Sequence, residues 1–362
     1  MLTETKSSSK FISAISKLPV CNDKTRLVIE YGLVIFAIGY SVYLYWLFAL
    51  DFYQWDFLLL TGVACFYIGL KEVGFLKERF ENTLKRLIER GVVDLKEGQS
   101  FDGIKKQFEI TAHTWMRVTG LICGIAMLVA FIVALTLNFR FDLVLLGIAE
   151  VIGAYIAGNY IGRMILYGRL GTWLSETHKN YTIDPSHVDG LSGLKPVGEY
   201  YFYQASIASI PAIFLAVWWL LIPIWPRDYS YWHDVYFGLL VIAILIEIFA
   251  FLSPLFSFHR LMNKRKKILT SEADILSVSI SELKSNIAKN QDIEKAKILK
   301  DQLDEINARY WAIENMKTWP VDVKTKKRFS VNNILLFLPV IYNSINHTFK
   351  FDDLFKALSK IQ

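Results

Sequence analysis

The sequence predicts an all-α, polytopic membrane protein with about six transmembrane helices and a cytoplasmic helical hairpin. Three observations carry that expectation. Of 362 residues, 53% are hydrophobic, where a soluble domain holds about 45–50%. The excess falls in blocks of roughly 20 residues, the length a helix needs to cross the hydrocarbon core. The basic residues lie between the blocks, and their distribution is one-sided.

Residues 1–27 form a polar, basic tail. No cleavable signal is expected there, because the first apolar block is too long for the core of one. The transmembrane domain is expected over 28–258, with spans at Val28–Leu50, Asp56–Leu70, Met116–Leu137, Leu143–Leu166, Tyr203–Trp225 and Val235–Phe258. In lipid the backbone must hydrogen-bond to itself, so each block is expected to be a helix. The second block is the shortest, and the amphipathic stretch after it is expected to extend it.

Charge predicts the orientation. With the N-terminus inside, 38 of the 40 Lys and Arg fall on the inner side, counting Arg117 and Arg163 with the inner loops they adjoin. Only Arg140 and Arg227 fall outside, among Asp51, Asp56, Asp142, Asp228 and Asp234. Such an excess of inner basic residues predicts both termini in the cytoplasm of a bacterial inner membrane. Aromatics gather at the outer rim (Tyr45, Trp46, Trp55, Trp225, Tyr229, Trp232), the level amphipathic rings favour.

The inner segments are read as helical. In loop 71–115, Phe75, Phe80, Leu84, Leu87 and Ile88 share a face. Gly91 is expected to stop that helix and Asp102 to cap the next. Loop 167–202 joins the fourth and fifth spans. Residues 259–330 read as a hairpin. Its first arm carries Ile268, Ile275, Val278, Leu283 and Ile287, and its second Ile293, Leu299, Leu303, Ile306, Tyr310 and Ile313. A turn at Lys289–Asp292 joins the arms, and Pro320 is expected to end the second. In segment 331–362, Val331–Ile345 is apolar but short for a span. Phe349–Ile361 is amphipathic and suits a membrane interface or a neighbouring subunit.

Several residues are candidates for function. Glu150 and Glu247 lie inside expected spans, where a carboxylate is costly and marks a pore or ion pathway or else a hydrogen-bonded packing position. Asn159 adds a polar group to the fourth span. Glu150 shares a stripe with Ala154, Gly158 and Gly162, small residues at a spacing that lets helices approach closely. That makes the fourth span the candidate for a pore-adjacent or subunit-contacting helix. In the inner loop, His187, Asp189, Gly190 and Gly193 read either as a ligand site or as a tight turn with glycines at positive φ. Two basic runs, Lys264-Arg265-Lys266-Lys267 and Lys326-Lys327-Arg328, suit anionic lipid headgroups or a soluble phosphate ligand. Cys21, Cys65 and Cys123 make no disulfide framework, no Cys/His group has zinc spacing, and no nucleotide-binding fingerprint is present. No cofactor, metal or enzymatic constellation is expected.

The run His187-Val188-Asp189-Gly190-Leu191-Ser192-Gly193-Leu194 resembles a bacterial family of multi-span membrane proteins with a His-Pro-Asp-x-x-Gly-Gly-Leu loop. Ser253-Pro254, His259-Arg260 and Met316-Lys317-Thr318-Trp319-Pro320 resemble its later parts, so the likeness covers about the second half of the chain. Val188 replaces the expected Pro, and Ser192 the expected Gly. The overall layout also resembles membrane effectors of bacterial anti-phage defence, in particular the channel effector of the Hailong system. That resemblance implies an oligomeric pore controlled by a cytoplasmic oligonucleotide. The small-residue stripe with Glu150, the long cytoplasmic helices and the basic inner surface make the leading expectation a homo-oligomeric ion channel gated by a cytoplasmic signal. A proton-coupled secondary transporter is the alternative, and a membrane enzyme and a non-conducting scaffold rank below both.

Overall fold

The computed structural model describes residues 23–48, 57–94, 100–137, 141–171, 182–225, 230–289 and 293–346, and contains no strand among them. In chain order the helices are α1 (Asp23–Phe48), α2 (Phe57–Glu89), α3 (Phe101–Leu137), α4 (Phe141–Gly168), α5 (Lys195–Leu221), α6 (Ser230–Lys289), α7 (Ile293–Glu314) and α8 (Val323–Asn346). A 3-10 turn, Ile222–Ile224, continues α5.

Four stretches are long and apolar enough to cross a membrane: Phe57–Glu89, Phe101–Val133, Lys195–Ile224 and His233–Lys289. At most 39% of any of their apolar windows is buried. Ile122, Ile125, Leu245, Ile246 and Phe249 are each more than half exposed. Water does not tolerate apolar surface on this scale, whereas lipid does.

The largest buried cluster lies where the helices leave this apolar zone. It joins Leu76, Phe80, Leu84 and Leu87 of α2 to Phe108 of α3, Tyr167 of α4, Val197, Tyr200 and Tyr201 of α5, Phe258 and Met262 of α6, and Ile313 of α7. Phe80 sits at its centre, with the rings of Phe108 at 4.6 Å and Tyr167 at 4.9 Å. The start of α5 also answers the open carbonyls at the end of α4, which the helix itself cannot pair. Tyr200 Oη donates to Tyr167 O, Tyr201 Oη to Gly168 O, and Gln204 Nε2 to Met164 O.

Helices α3 and α4 meet along glycines. A methyl group on Gly158 would lie 2.8 Å from Gly120 Cα, and one on Gly162 would lie 2.6 Å from Trp115 O. The small-residue stripe is thus filled from within the chain by α3, not held free for another subunit. Gly153, on the adjacent stripe, has open space around it.

Other expectations need correction. Phe75 is 52% exposed, because the buried face of α2 turns on Leu76 and Phe80. Ser100, not Asp102, caps α3: Gly103 N–H donates to Ser100 Oγ at 3.1 Å. Gly91 does close α2, at φ +67°. The hairpin's first arm is continuous with the sixth span in α6, a 60-residue helix. On that arm Ile268, Ile275 and Val278 face outward, while Leu269 and Ala273 join the core. Helix α7 ends at Glu314, before Pro320, where Lys266 Nζ donates to Glu314 O and Met316 O. The turn at 290–292, Trp55 and Tyr229 of the rim aromatics, and Phe349–Ile361 lie outside the described residues.

The α3–α4 contact yields a graded test. Gly158→Leu and Gly162→Leu should each lower stability by about 1–3 kcal/mol or more through overpacking, while Gly153→Ala should leave it unchanged. Melting in detergent, followed by size-exclusion chromatography, reads the difference; equal melting for all three would refute the close contact.

Candidate functional site

Glu247 lies midway along the apolar half of α6 and is 1% exposed. Its partners come from α8. Asn332 Nδ2 donates to Glu247 Oε1 at 2.9 Å, and Asn333 Nδ2 approaches the same oxygen at 3.4 Å. Asn333 Nδ2 also donates to Phe329 O at 3.0 Å. Glu247 Oε2 and Asn333 Oδ1 are buried with no hydrogen-bond partner among the described residues. Two acceptor oxygens therefore wait inside an apolar bundle, an arrangement suited to a proton or a cation stripped of water.

Helix α8 reaches this point because its start is fixed. The segment entering it passes over Gly198 of α5, where a Cβ would lie 3.2 Å from Val321 Cα. His259 Nδ1 pairs with Thr318 O at 2.8 Å, and its ring stacks on Trp319 at 4.3 Å. Asn263 Nδ2 contacts His259 Nε2, leaving Nδ1 as the donor toward Thr318. Asp322 caps α8 by accepting from Thr325 N–H at 2.7 Å. The Thr325 hydrogen bonds hold its carboxyl below the usual range, against burial. Deeper in, Phe329 stacks on Phe251 at 4.1 Å, and Leu336 packs with Ala212, Leu240 and Ile244. The segment Val331–Ile345 is thus part of a helix docked on α5 and α6.

The other expected pathway residues are elsewhere. Glu150 lines an apolar groove of about 150 Å³ with Leu33, Phe36, Val63 and Phe66. Asn159 donates to Tyr155 O of its own helix at 2.8 Å and packs against Gly120. Ala154 lies on the same helix, partly buried. Glu150 and Glu247 have separate surroundings.

The inner loop is a turn organised by Asp189. Its Oδ1 accepts from Leu191 and Gly193 N–H, and its Oδ2 from Lys195 N–H and Arg90 Nη1, the last at 2.7 Å. Asp189 N–H donates to His187 Nδ1 at 3.2 Å. Gly190, Ser192 and Gly193 take φ of 62°, 56° and 85°. A Cβ on Gly193 would also strike Val92 Cγ2 at 2.5 Å. Ser192 therefore adopts a conformation that glycine adopts more easily. Burial tends to raise the Asp189 pKa, but the N–H groups of Gly193, Leu191 and Lys195, with His187, hold it below the usual range. No group of three metal-ligating side chains occurs among the described residues.

The two basic runs do not form one surface. Lys326, Lys327 and Arg328 occupy the first turns of α8, just before Phe329 meets Phe251, and are exposed. Lys264–Lys267 lies 13 to 16 residues beyond Phe251 on α6, about 20 Å or more along the helix from that contact. Lys266 there closes the end of α7. Between α2 and α5 a polar cleft of about 450 Å³ is lined by Arg79, Asn82, Arg86, Glu78 and Glu199.

The chain matches no known protein family, and no curated protein or solved structure shows similarity to it. Sequence reasoning missed Asn332, Asn333, Asp322 and Arg90. The Asn pair inside an otherwise apolar run was the available signal for the first two.

Asp189→Asn should lower stability at neutral pH by about 1.5–3 kcal/mol, the range for hydrogen bonds to a charged group. The folded carboxyl's pKa is depressed, so its contribution is complete above the ordinary Asp value near 4 and is lost as pH falls through the folded value. Melting curves should therefore show the gap between wild type and variant closing below about pH 4. A gap constant down to acid pH would mean that the charge does not organise the loop.

Proposed function

We propose that this chain is an ion-conducting protein of a bacterial inner membrane, with Glu247 as the ion-binding group inside the bilayer. The observation that carries the reading is the pair of buried, unpartnered acceptors, Glu247 Oε2 and Asn333 Oδ1. A buried acceptor without a donor costs about 1–3 kcal/mol, and an arriving proton or cation offsets that cost. In this reading α1–α6 provide six spans, with the N-terminus and the α6–α7 hairpin in the cytoplasm, as the inner excess of basic residues supports.

Helix α8 is the gating element. It carries the amides that hold Glu247 and is joined to the hairpin through Met316–Val321. A cytoplasmic signal that shifts the hairpin pulls on α8 and so on the Glu247 site. Lys264 and Lys267 lie six and nine residues past the expected end of the sixth span and suit a soluble phosphate-bearing signal. The outward stripe Ile268, Ile275 and Val278, spaced seven and three, suits packing against a second copy. Opening would dissipate the membrane potential, the outcome that a defence effector requires.

The occlusion of Glu247 also favours a second reading, proton-coupled transport with the carboxyl loaded from one side at a time. Purified protein in proteoliposomes separates the two. Passive proton or cation flux without a co-substrate is expected for the conductor, and flux only with a co-substrate gradient for the transporter. In either case Glu247→Gln should cut the flux on the order of tenfold or more, as loss of a proton-handling side chain does. Asn333→Ala should have a smaller effect, and Gly153→Ala none. Wild type that passes no ion even with the α6–α7 hairpin cut at 290–292 to release α8, or a Glu247→Gln variant with full flux, would overturn the proposal.

A further inference from the structure

The uncharged part of α8 is almost as long as the membrane is thick. Lys324, Lys326, Lys327 and Arg328 mark its start, and the 18 residues from Phe329 to Asn346 carry no charge. At 1.5 Å per residue they extend about 27 Å, against a hydrocarbon core of about 30 Å. Sequence inspection discounts this stretch as a span because the apolar run Val331–Ile345 is short for one.

The contacts with α6 give its direction. Phe329 stacks on Phe251, Asn333 reaches Glu247, and Leu336 shares a cluster with Ile244. Each step forward along α8 matches an equal step back along α6, so the two helices run antiparallel in a fixed register. Carried to the end of α8, that register sets Asn346 level with Asp234, close to the first turn of α6. The face of α8 turned away from α5 and α6 is apolar and exposed at Ile334, Leu335, Leu338 and Ile341. A helix docked on one face, apolar on the other and uncharged for this length has lipid as its remaining neighbour.

We infer that α8 is a membrane-crossing helix that delivers the chain after Asn346 to the face opposite the cytoplasmic hairpin. This replaces the cytoplasmic C-terminus that loop charges alone predict. The tail offers little electrostatic resistance to transfer. Residues 347–362 hold Lys350, Lys356 and Lys360 against Asp352 and Asp353, whereas four basic residues anchor the entry of α8. The polar Asn pair, about 5–6 Å inside the start of the uncharged stretch, is tolerated because Glu247 receives it there. The inference rests on lipid surrounding these helices and not on ion movement, so a failed flux assay leaves it standing.

Reporter fusions to the full chain test it. Alkaline phosphatase fused after Gln362 should be active, and green fluorescent protein at the same point should be dark. The same fluorescent protein inserted after Asn290 in the hairpin turn should shine. A bright fusion at Gln362 with an inactive phosphatase overturns the inference. Cysteine labelling gives a reading independent of bulky fusions, in a background with Cys21, Cys65 and Cys123 replaced by Ser. Ser359→Cys should react with a membrane-impermeant maleimide in intact spheroplasts, and Ser285→Cys only after permeabilisation. Reaction of both only after permeabilisation overturns it equally.

Discussion

Apolar side chains that no protein covers must be covered by something else, and this single constraint orders the molecule. Along the four longest apolar stretches most side chains remain uncovered, with Phe249 70% exposed in the middle of α6. In water each such residue would oppose folding; in lipid it is neutral. The dense core consequently lies not at mid-membrane but at the boundary, around Phe80, Tyr167 and Tyr201. There the helices leave lipid and must bury apolar surface against one another. Inside the apolar zone other devices hold helices together: close glycine contact between α3 and α4, and polar contact between α6 and α8.

That division gives the chain a densely packed inner collar and a membrane part with less buried surface. The collar includes the loop organised by Asp189, which ties α2 to the start of α5 through Arg90. It also includes the segment 316–321, clamped between His259 of α6 and Gly198 of α5. Both ends of the α6–α7 hairpin pass through it, one as continuous helix and the other as the lead into α8. Movement of the hairpin therefore has a short, packed route to Asn332 and Asn333. The route consists of contacts in one structure; coupling along it is part of the proposed function.

Much of the architecture was legible because lipid imposes simple rules. Helix positions followed from block length, and the extension of the second span into α2 followed from its amphipathic continuation. Gly91 was readable as a stop because a positive φ there favours glycine. The Asp189 turn was readable as one of two alternatives for the same reason. What was not legible depended on rotation and partner choice. The stripe at Gly158 and Gly162 announces close packing but cannot say whether the partner is α3 or another subunit. Ile268 and Leu269 are adjacent and equally apolar, yet only Leu269 faces the core. Helix α8 was hidden because its apolar run, Val331–Ile345, is short for a span, and nothing in the order of residues shows that Glu247 accepts from the Asn pair at its start.

Glu247 is that acceptor, and the choice of amides as its partners has a consequence. A lysine or arginine would neutralise the carboxylate and make its charge permanent. An amide can donate to the ionised carboxylate through its NH2 and accept from the protonated acid through its oxygen. The pair of Asn332 and Asn333 can therefore serve both states of Glu247, and the unpartnered oxygens on Glu247 and Asn333 show that the capacity is not used up. A packing contact alone has no need of spare acceptors, and an apolar pair of the same size would hold α6 to α8 without them. Spare capacity inside a lipid-exposed bundle is understandable where the occupancy of the site changes, and in the proposed reading α8 is the helix whose docking closes the site.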